Sequence, residues 1–342
     1  MRGKRLTHDA EERTVCGEVA CLRAEAHRPD DPHRVRVKGP IPREDPLIRL
    51  SFTIALHYEV QESPADFVFN IHAALTPSQV VVSEALTTTQ DVPHHLYTDH
   101  NTATRYLRLR AEPGPFALTY SATVEIEHHR ESPARIEEVP IARIPSQVMP
   151  YIYPSRYCPS DRMRRFANRE FGHLRPGYWR VLAVHDWVRQ RTAFVSGSSH
   201  DGTDALATLV GQTGVCRDFA HLMICLCRAL NIPARFVTGI DYGAPASMGP
   251  PDFHAYVEVF LGTRWYAFDP TGISPPMGLV RIGTGRDAAD VSFATMFGTM
   301  KSFPPVISIV AAVDASGGIV LPVHSNEALS TSAEPSLTPA TY

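Results

Sequence analysis

Residues 214–239 read GVCRDFAHLMICLCRALNIPARFVTG, and this stretch decides how the rest of the chain is read. Phe219, Ala220, Leu222, Met223, Leu226 and Leu230 recur at helical spacing, so Cys216 to Leu230 predicts an apolar helix facing a core. Asn231-Ile232-Pro233 stops it, because proline supplies no N–H and cannot continue a helix. Ala234 to Gly239 then reads as a strand. A glycine-containing loop turns into the helix at Cys216. A thiol there faces N–H groups that the first turn leaves without intrahelical partners, and the positive end of the helix dipole; both favour thiolate. Arg217 adds positive charge beside it.

C-terminal to this stretch, residues 252–271 read DFHAYVEVFLGTRWYAFDPT. Ala255 to Leu261 and Trp265 to Phe268 are strand-like, and Pro270-Thr271-Gly272 ends the second. His254 stands 38 residues after Cys216, at the start of the first strand, and Asp269 follows 15 residues later at the end of the second. If the strands pair as an antiparallel hairpin around Leu261-Gly262-Thr263, the start of one lies opposite the end of the other. His254 and Asp269 are then neighbours, and the packed helix can present Cys216 to the same edge. Such an arrangement has the logic of a nucleophile, a base and a carboxylate that fixes the imidazole tautomer. Each residue alone also has an ordinary reading: a buried small hydrophobe, a surface histidine, a turn aspartate.

N-terminal to it the period is helical over Asp161 to Phe171 and Pro176 to about Arg191, and a short helix from Ala205 to Val210 is opened by Thr203 or Asp204. Before these, Pro133, Pro140, Pro145, Pro150, Pro154 and Pro159 suggest an extended strap. From Leu47 to about residue 130 the pattern is period-2. Leu50, Phe52, Ile54, Leu56, Tyr58 and Val60 alternate with polar or small partners, as do Phe116, Leu118, Tyr120, Ala122, Val124 and Ile126. The expected fold class is α+β, with an antiparallel β domain over 46–150 (strap included) followed by a core over 151–322 whose nucleophile helix packs on an antiparallel sheet. Residues 1–45, polar with no sustained period, read as a flexible extension, and the Ser/Thr/Pro-rich residues 323–342 as a disordered tail.

Composition narrows the function. Lys and Arg number 33 against 36 Asp and Glu, a net charge of −3, which argues against a protein that neutralises nucleic-acid phosphates. No apolar run approaches the ~20 residues of a spanning helix, and the polar N-terminus lacks the apolar core of a secretory signal, so a cytoplasmic location without membrane partners is expected. Six cysteines show no disulfide framework. Cys225 and Cys227, two apart on a helix, diverge and cannot jointly hold zinc, and no phosphate-cradling or dinucleotide glycine motif occurs; no metal or cofactor is expected.

With these motifs in view, residues 174–290 resemble the core of the transglutaminase-like superfamily, the thiol acyl-transfer fold shared by transglutaminases and related bacterial cysteine peptidases. The preceding β domain is similar to the N-terminal domain of the bacterial type. The resemblance covers roughly three quarters of the chain and implies a papain-like core with Cys216 as nucleophile, His254 as base and Asp269 as its orienter. For the oxyanion the first donor is the backbone N–H of Cys216. Gln212, Trp187 and Trp265 are candidates for a second, and Asp218 or the Arg286-Asp287 pair for shaping the site or contacting substrate. The expected activity is thiol-dependent attack on a peptide or glutamine side-chain amide through a thioester, resolved by water or by a primary amine. The alternative is a catalytically silent binding or scaffold protein on the same fold.

Overall fold

A computed structural model describes residues 47–314 and 317–332. The extension expected over 1–45, and residues 333–342 of the expected tail, lie outside the described residues.

The period-2 segments form strands. Ile48–Val60 (β1) buries every second side chain, and it is followed by Ala65–Phe69 (β2), Gln79–Thr88 (β3), His94–Thr98 (β4), Arg105–Ala111 (β5), Gly114–Ile126 (β6) and His129–Glu131 (β7). The β1 and β6 strands pair antiparallel from Ile48 opposite Ile126 to Val60 opposite Gly114, so the buried faces of both coincide. The β1–β6–β3 sheet and the β2–β5–β4 sheet share one apolar core, with Tyr58 and Phe116 of one meeting Phe67 of the other at 5.0 and 5.5 Å between ring centres. This is the expected antiparallel β architecture. The proline-rich connection is not simply extended: it holds three single 3-10 turns, Pro133–Arg135, Ile141–Arg143 and Met149–Ile152. Proline at the first turn positions fits, because its missing N–H would be unpaired there anyway.

The second half follows the predicted order of helices and then strands. Ser160–Phe171 (α1), Tyr178–Arg191 (α2), Ala193–Phe194 (β8), Ala205–Gly211 (α3) and Thr213–Gly214 (β9) lead into Cys216–Ala229 (α4). Asp204, not Thr203, caps α3, accepting from Ala207 N at 2.8 Å. Asp161 lies in the first turn of α1, where its charge suits the dipole, and makes no cap hydrogen bond. Ala234–Asp241 (β10), Phe253–Leu261 (β11), Arg264–Phe268 (β12) and Leu279–Gly285 (β13) make a sheet in the order β12–β11–β10–β13. Phe236, Val257, Val259, Tyr266 and Phe268 on one face form a single core with the apolar sides of α1, α2 and α4.

Beyond β13 the chain departs from the expected domain boundaries in two ways. Ala294–Phe297 (β14), Met300–Ser302 (β15) and Val306–Ala311 (β16) return to the first half, β14 pairing with β2 and the other two with β1. The α+β core therefore does not run unbroken to residue 322. Ile240, Met277, Val280 and Ile282 also belong to the core of the β sheets, so the two halves share packing. Within the expected disordered tail, Ala328–Ser330 (β17) pairs with β7 and is buried. Composition argues for disorder there, but a ladder of backbone hydrogen bonds and a covered face override it.

Candidate active site

Cys216 stands at the first position of α4, held by a turn whose residues are fixed from several sides. Asp218 reaches back to accept from Val215 N at 2.9 Å, the acidic half of a capping box. Asp218 is 1% exposed and also accepts from Ser199 Oγ at 2.9 Å, while Arg217 Nη2 donates to that Ser199 oxygen at 2.6 Å. A side chain at Gly214 would put its Cβ 2.6 Å from Asp218 Cβ, which explains a glycine two residues before the cysteine. The segment before it is pinned by the parallel β8–β9 pair and by Val195 N donating to Gly214 O at 3.0 Å. Asp218 thus builds the turn that carries Cys216, in line with the first of its two expected parts, shaping the site rather than meeting substrate.

His254 and Asp269 come together as the hairpin logic required. Leu261 and Arg264 pair around the two-residue Gly262-Thr263 turn, with Gly262 at φ 57°, and the register puts Val257 opposite Phe268. Asp269 therefore falls diagonally across from His254 on the same face, within reach of a long side chain. His254 Nε2 lies 3.1 Å from Asp269 Oδ2, an ion-pair contact off the line of a full hydrogen bond, with side chains 5% and 1% exposed. The other ring nitrogen is left for the Cys216 thiol, which lies beside the imidazole, its Sγ 3.9 Å from the Phe253 carbonyl oxygen.

Burial works against charge on His254, but the Asp269 carboxylate outweighs it, and Cys216 contributes in the same direction. The imidazole pKa stands well above its ordinary 6.5. For Asp269, burial would raise the pKa, yet the imidazole and the Thr271 hydrogen bonds hold it below its ordinary 3.8. The pair therefore favours imidazolium and carboxylate at neutral pH.

Two supports of Asp269 were not foreseen. Thr271 donates to Asp269 Oδ1 twice, from N at 3.0 Å and from Oγ1 at 2.7 Å, leaving Oδ2 for the histidine. The Asp-Pro-Thr spacing was a readable signal, since a turn aspartate commonly accepts from the backbone two residues on. His185 on α2 makes a 2.8 Å hydrogen bond through Nε2 with the Asp269 carbonyl oxygen, while its Nδ1 meets Asp186 at 2.9 Å. In the sequence His185 is one more member of a helix face, and nothing local ties it to residue 269.

The other candidates sit elsewhere. Trp187 packs edge-on against Phe166 and Phe171 of α1, with Arg191 over its ring at 4.8 Å. Trp265 is 4% exposed among Phe260, Tyr151 and Arg235, on the side of the sheet away from α4. Gln212 is exposed and closes α3 in the left-handed region at φ 52°, its carbonyl accepting from Ala193 N at 2.8 Å. Arg286 pairs with Asp290 at 2.9 Å, and buried Asp287 accepts from Tyr157 N at 2.9 Å, so both organise a loop. Of the described cysteines, Cys216 alone is partly exposed; Cys158, Cys225 and Cys227 are buried, and burial pushes each of those three thiols up, Cys158 to about 12. Among the described residues no group of three or more His, Cys, Asp or Glu side chains could hold a metal ion.

This fold and this arrangement of residues define the class. The family model "Transglutaminase-like superfamily" matches residues 164–270, and "Bacterial transglutaminase, N-terminal domain" matches residues 49–147. A crystal structure of a "putative cysteine protease" from Cytophaga hutchinsonii is 36% identical, covers 84% of this chain and 98% of its own, and superposes with a TM-score of 0.76. The chain belongs to the transglutaminase-like superfamily. Among curated proteins, an uncharacterized protein of Mycobacterium leprae is 28% identical over 68% of this chain and 87% of its own length. One from Mycobacterium tuberculosis is 28% identical over 39% of this chain and 46% of its own.

Proposed function

We propose that the protein is a cysteine hydrolase acting on peptide or carboxamide bonds through a thioester on Cys216. The observation that carries this reading is a partly exposed thiol at a helix start beside a buried imidazole, itself paired with a buried carboxylate. The similarity to the Cytophaga hutchinsonii structure supports it.

In the proposed reaction the Cys216 thiolate attacks the amide carbon and a C–S bond forms. The carbonyl oxygen carries the negative charge and faces the Cys216 N–H, a first-turn donor with no intrahelical partner. As the tetrahedral species collapses, the C–N bond breaks and imidazolium His254 gives its proton to the departing amine. Water then attacks the thioester, His254 takes its proton, and collapse releases a carboxylic acid and the free Cys216. Asp269 orients the ring and stabilises its charged form throughout.

The test is a glutamine-containing peptide incubated with the protein and a labelled primary amine. Release of ammonia or cleaved peptide without label incorporation is expected, and Cys216→Ala should abolish it. Label transfer to the peptide would replace water by an amine as acceptor. No turnover of any peptide or carboxamide, with an unreactive Cys216, would leave the fold as a binding scaffold.

A further inference from the structure

Strand alternation sends Arg235, Glu258 and Trp265 to the sheet face away from α4, opposite to Phe236, Val257, Val259 and Phe268. There Glu258, 0% exposed, lies 2.6 Å from Arg235 and also pairs with Arg281. The arginines are 7% and 3% exposed. Ser332 Oγ accepts from Arg235 Nη2 at 3.0 Å and from Arg281 Nη2 at 2.9 Å, and the Trp265 ring centre lies 4.2 Å from the Arg235 guanidinium. Burial opposes the charge on Glu258, but the two guanidinium groups outweigh it and hold its carboxyl below the ordinary range. Among the described residues the cluster sets two buried guanidinium groups against one carboxylate. An unmatched buried charge is costly unless something completes it. Among the described residues Arg281 Nε is moreover buried without a hydrogen-bond partner.

A cavity of about 580 Å³ opens on these groups. Its wall includes Arg235, Arg281, Ser332, Trp265 and Tyr151, and among the described residues no Asp or Glu. The volume falls within the ~300–1,000 Å³ typical of small-molecule sites. A guanidinium fork matches the two oxygens of a planar carboxylate, and aromatic walls favour a flat apolar body. We propose that this cavity binds a small organic carboxylate, its charged end taken by Arg235 and Arg281 and its apolar part laid against Trp265 and Tyr151. Glu258 lies four residues from His254 on β11, about 13 Å along the strand, so this is a second site, separate from Cys216.

The experiment is calorimetric titration of the full chain with benzoate, with neutral benzamide and inorganic phosphate as comparisons. Benzoate should bind saturably and benzamide should not. Arg281→Lys keeps the charge but loses the fork, and should weaken benzoate about tenfold or more. Asn101→Asp, at an exposed position on the cavity wall, adds a repelling carboxylate without touching the buried cluster and should weaken it several-fold; it carries the test if the arginine variant does not fold. Alkylating Cys216 with iodoacetamide should leave benzoate binding intact. The proposal is overturned by absent or non-saturable benzoate binding, by equal affinity for benzamide, or by affinity that the folded variants leave unmoved. Tighter binding of phosphate than benzoate, or loss of benzoate binding on alkylation, overturns it equally.

Discussion

His254 Nε2 and Asp269 Oδ2 meet at 3.1 Å in a site where both side chains are almost wholly buried, so the charge on each depends on the other. Asp269→Asn removes the carboxylate and leaves burial as the leading influence on the imidazole. The His254 pKa should then fall from well above 6.5 to below it, as followed by imidazole proton shifts in an NMR titration. Turnover should fall by about 10³–10⁴-fold through loss of tautomer and orientation. A histidine that titrates at the same pH in both proteins would show that Asp269 does not set its charge.

The same pair makes stability depend on pH. A raised histidine pKa contributes stability that is complete below 6.5 and lost as pH rises through the folded-state value. A depressed aspartate pKa contributes stability that is complete above 3.8 and lost as pH falls through the folded-state value. The difference in melting temperature between the native chain and Asp269→Asn should therefore be widest between about pH 4 and 6.5 and narrow outside that window. A gap that widens above pH 8 would contradict the assignment.

Thiol reactivity separates Cys216 from the other described cysteines. Iodoacetamide near neutral pH should label Cys216 well before Cys158, Cys225 or Cys227, whose burial both raises their pKa and blocks access. Peptide mapping by mass spectrometry reads the order directly. Equal rates at Cys216 and Cys225 would remove the case for an activated nucleophile.

Gly214→Ala drives a methyl into Asp218, whose Cβ lies 2.6 Å from the new carbon. Displacing that carboxylate loosens the turn that aims Cys216. Denaturant unfolding should show a loss of about 1–3 kcal/mol, with activity reduced by more than the unfolded fraction explains. An unchanged midpoint would mean the turn relaxes freely.

Thr271→Val keeps the side-chain shape and removes the hydroxyl that donates to Asp269 Oδ1 at 2.7 Å. With the carboxylate free to swing, kcat should fall about 10–100-fold with KM little changed, and Thr271→Ser should restore it. Equal losses in the valine and serine variants would point to packing instead.

Local signals made much of the molecule readable from its residues. The alternation in β1 and β6 is carried by the side chains themselves, because a half-buried strand must bury every second one. The helix over Cys216–Ala229 and the β11–β12 hairpin were equally legible, and with them the convergence of Cys216, His254 and Asp269. The role of Asp218 was half visible, since a carboxylate at the third helix position is a known cap, but Gly214 as its packing partner was not. The surroundings of Trp187 and Trp265 were not legible, because which way an aromatic ring faces is set by its neighbours across the core.

What the chain alone determined were the elements and the placing of Cys216, His254 and Asp269 on them, because these depend on periodicity, turn chemistry and the geometry of one hairpin. Tertiary structure decided what depends on contacts between distant segments. It joined His185 to the carbonyl of residue 269, 84 positions away, and returned β16 to β1. It buried Ala328–Ser330 against β7, and it set Arg281 beside Glu258, 23 positions apart, under a cavity. Such contacts form where several buried faces must be covered at once, and no short window of sequence specifies which distant segment will cover them.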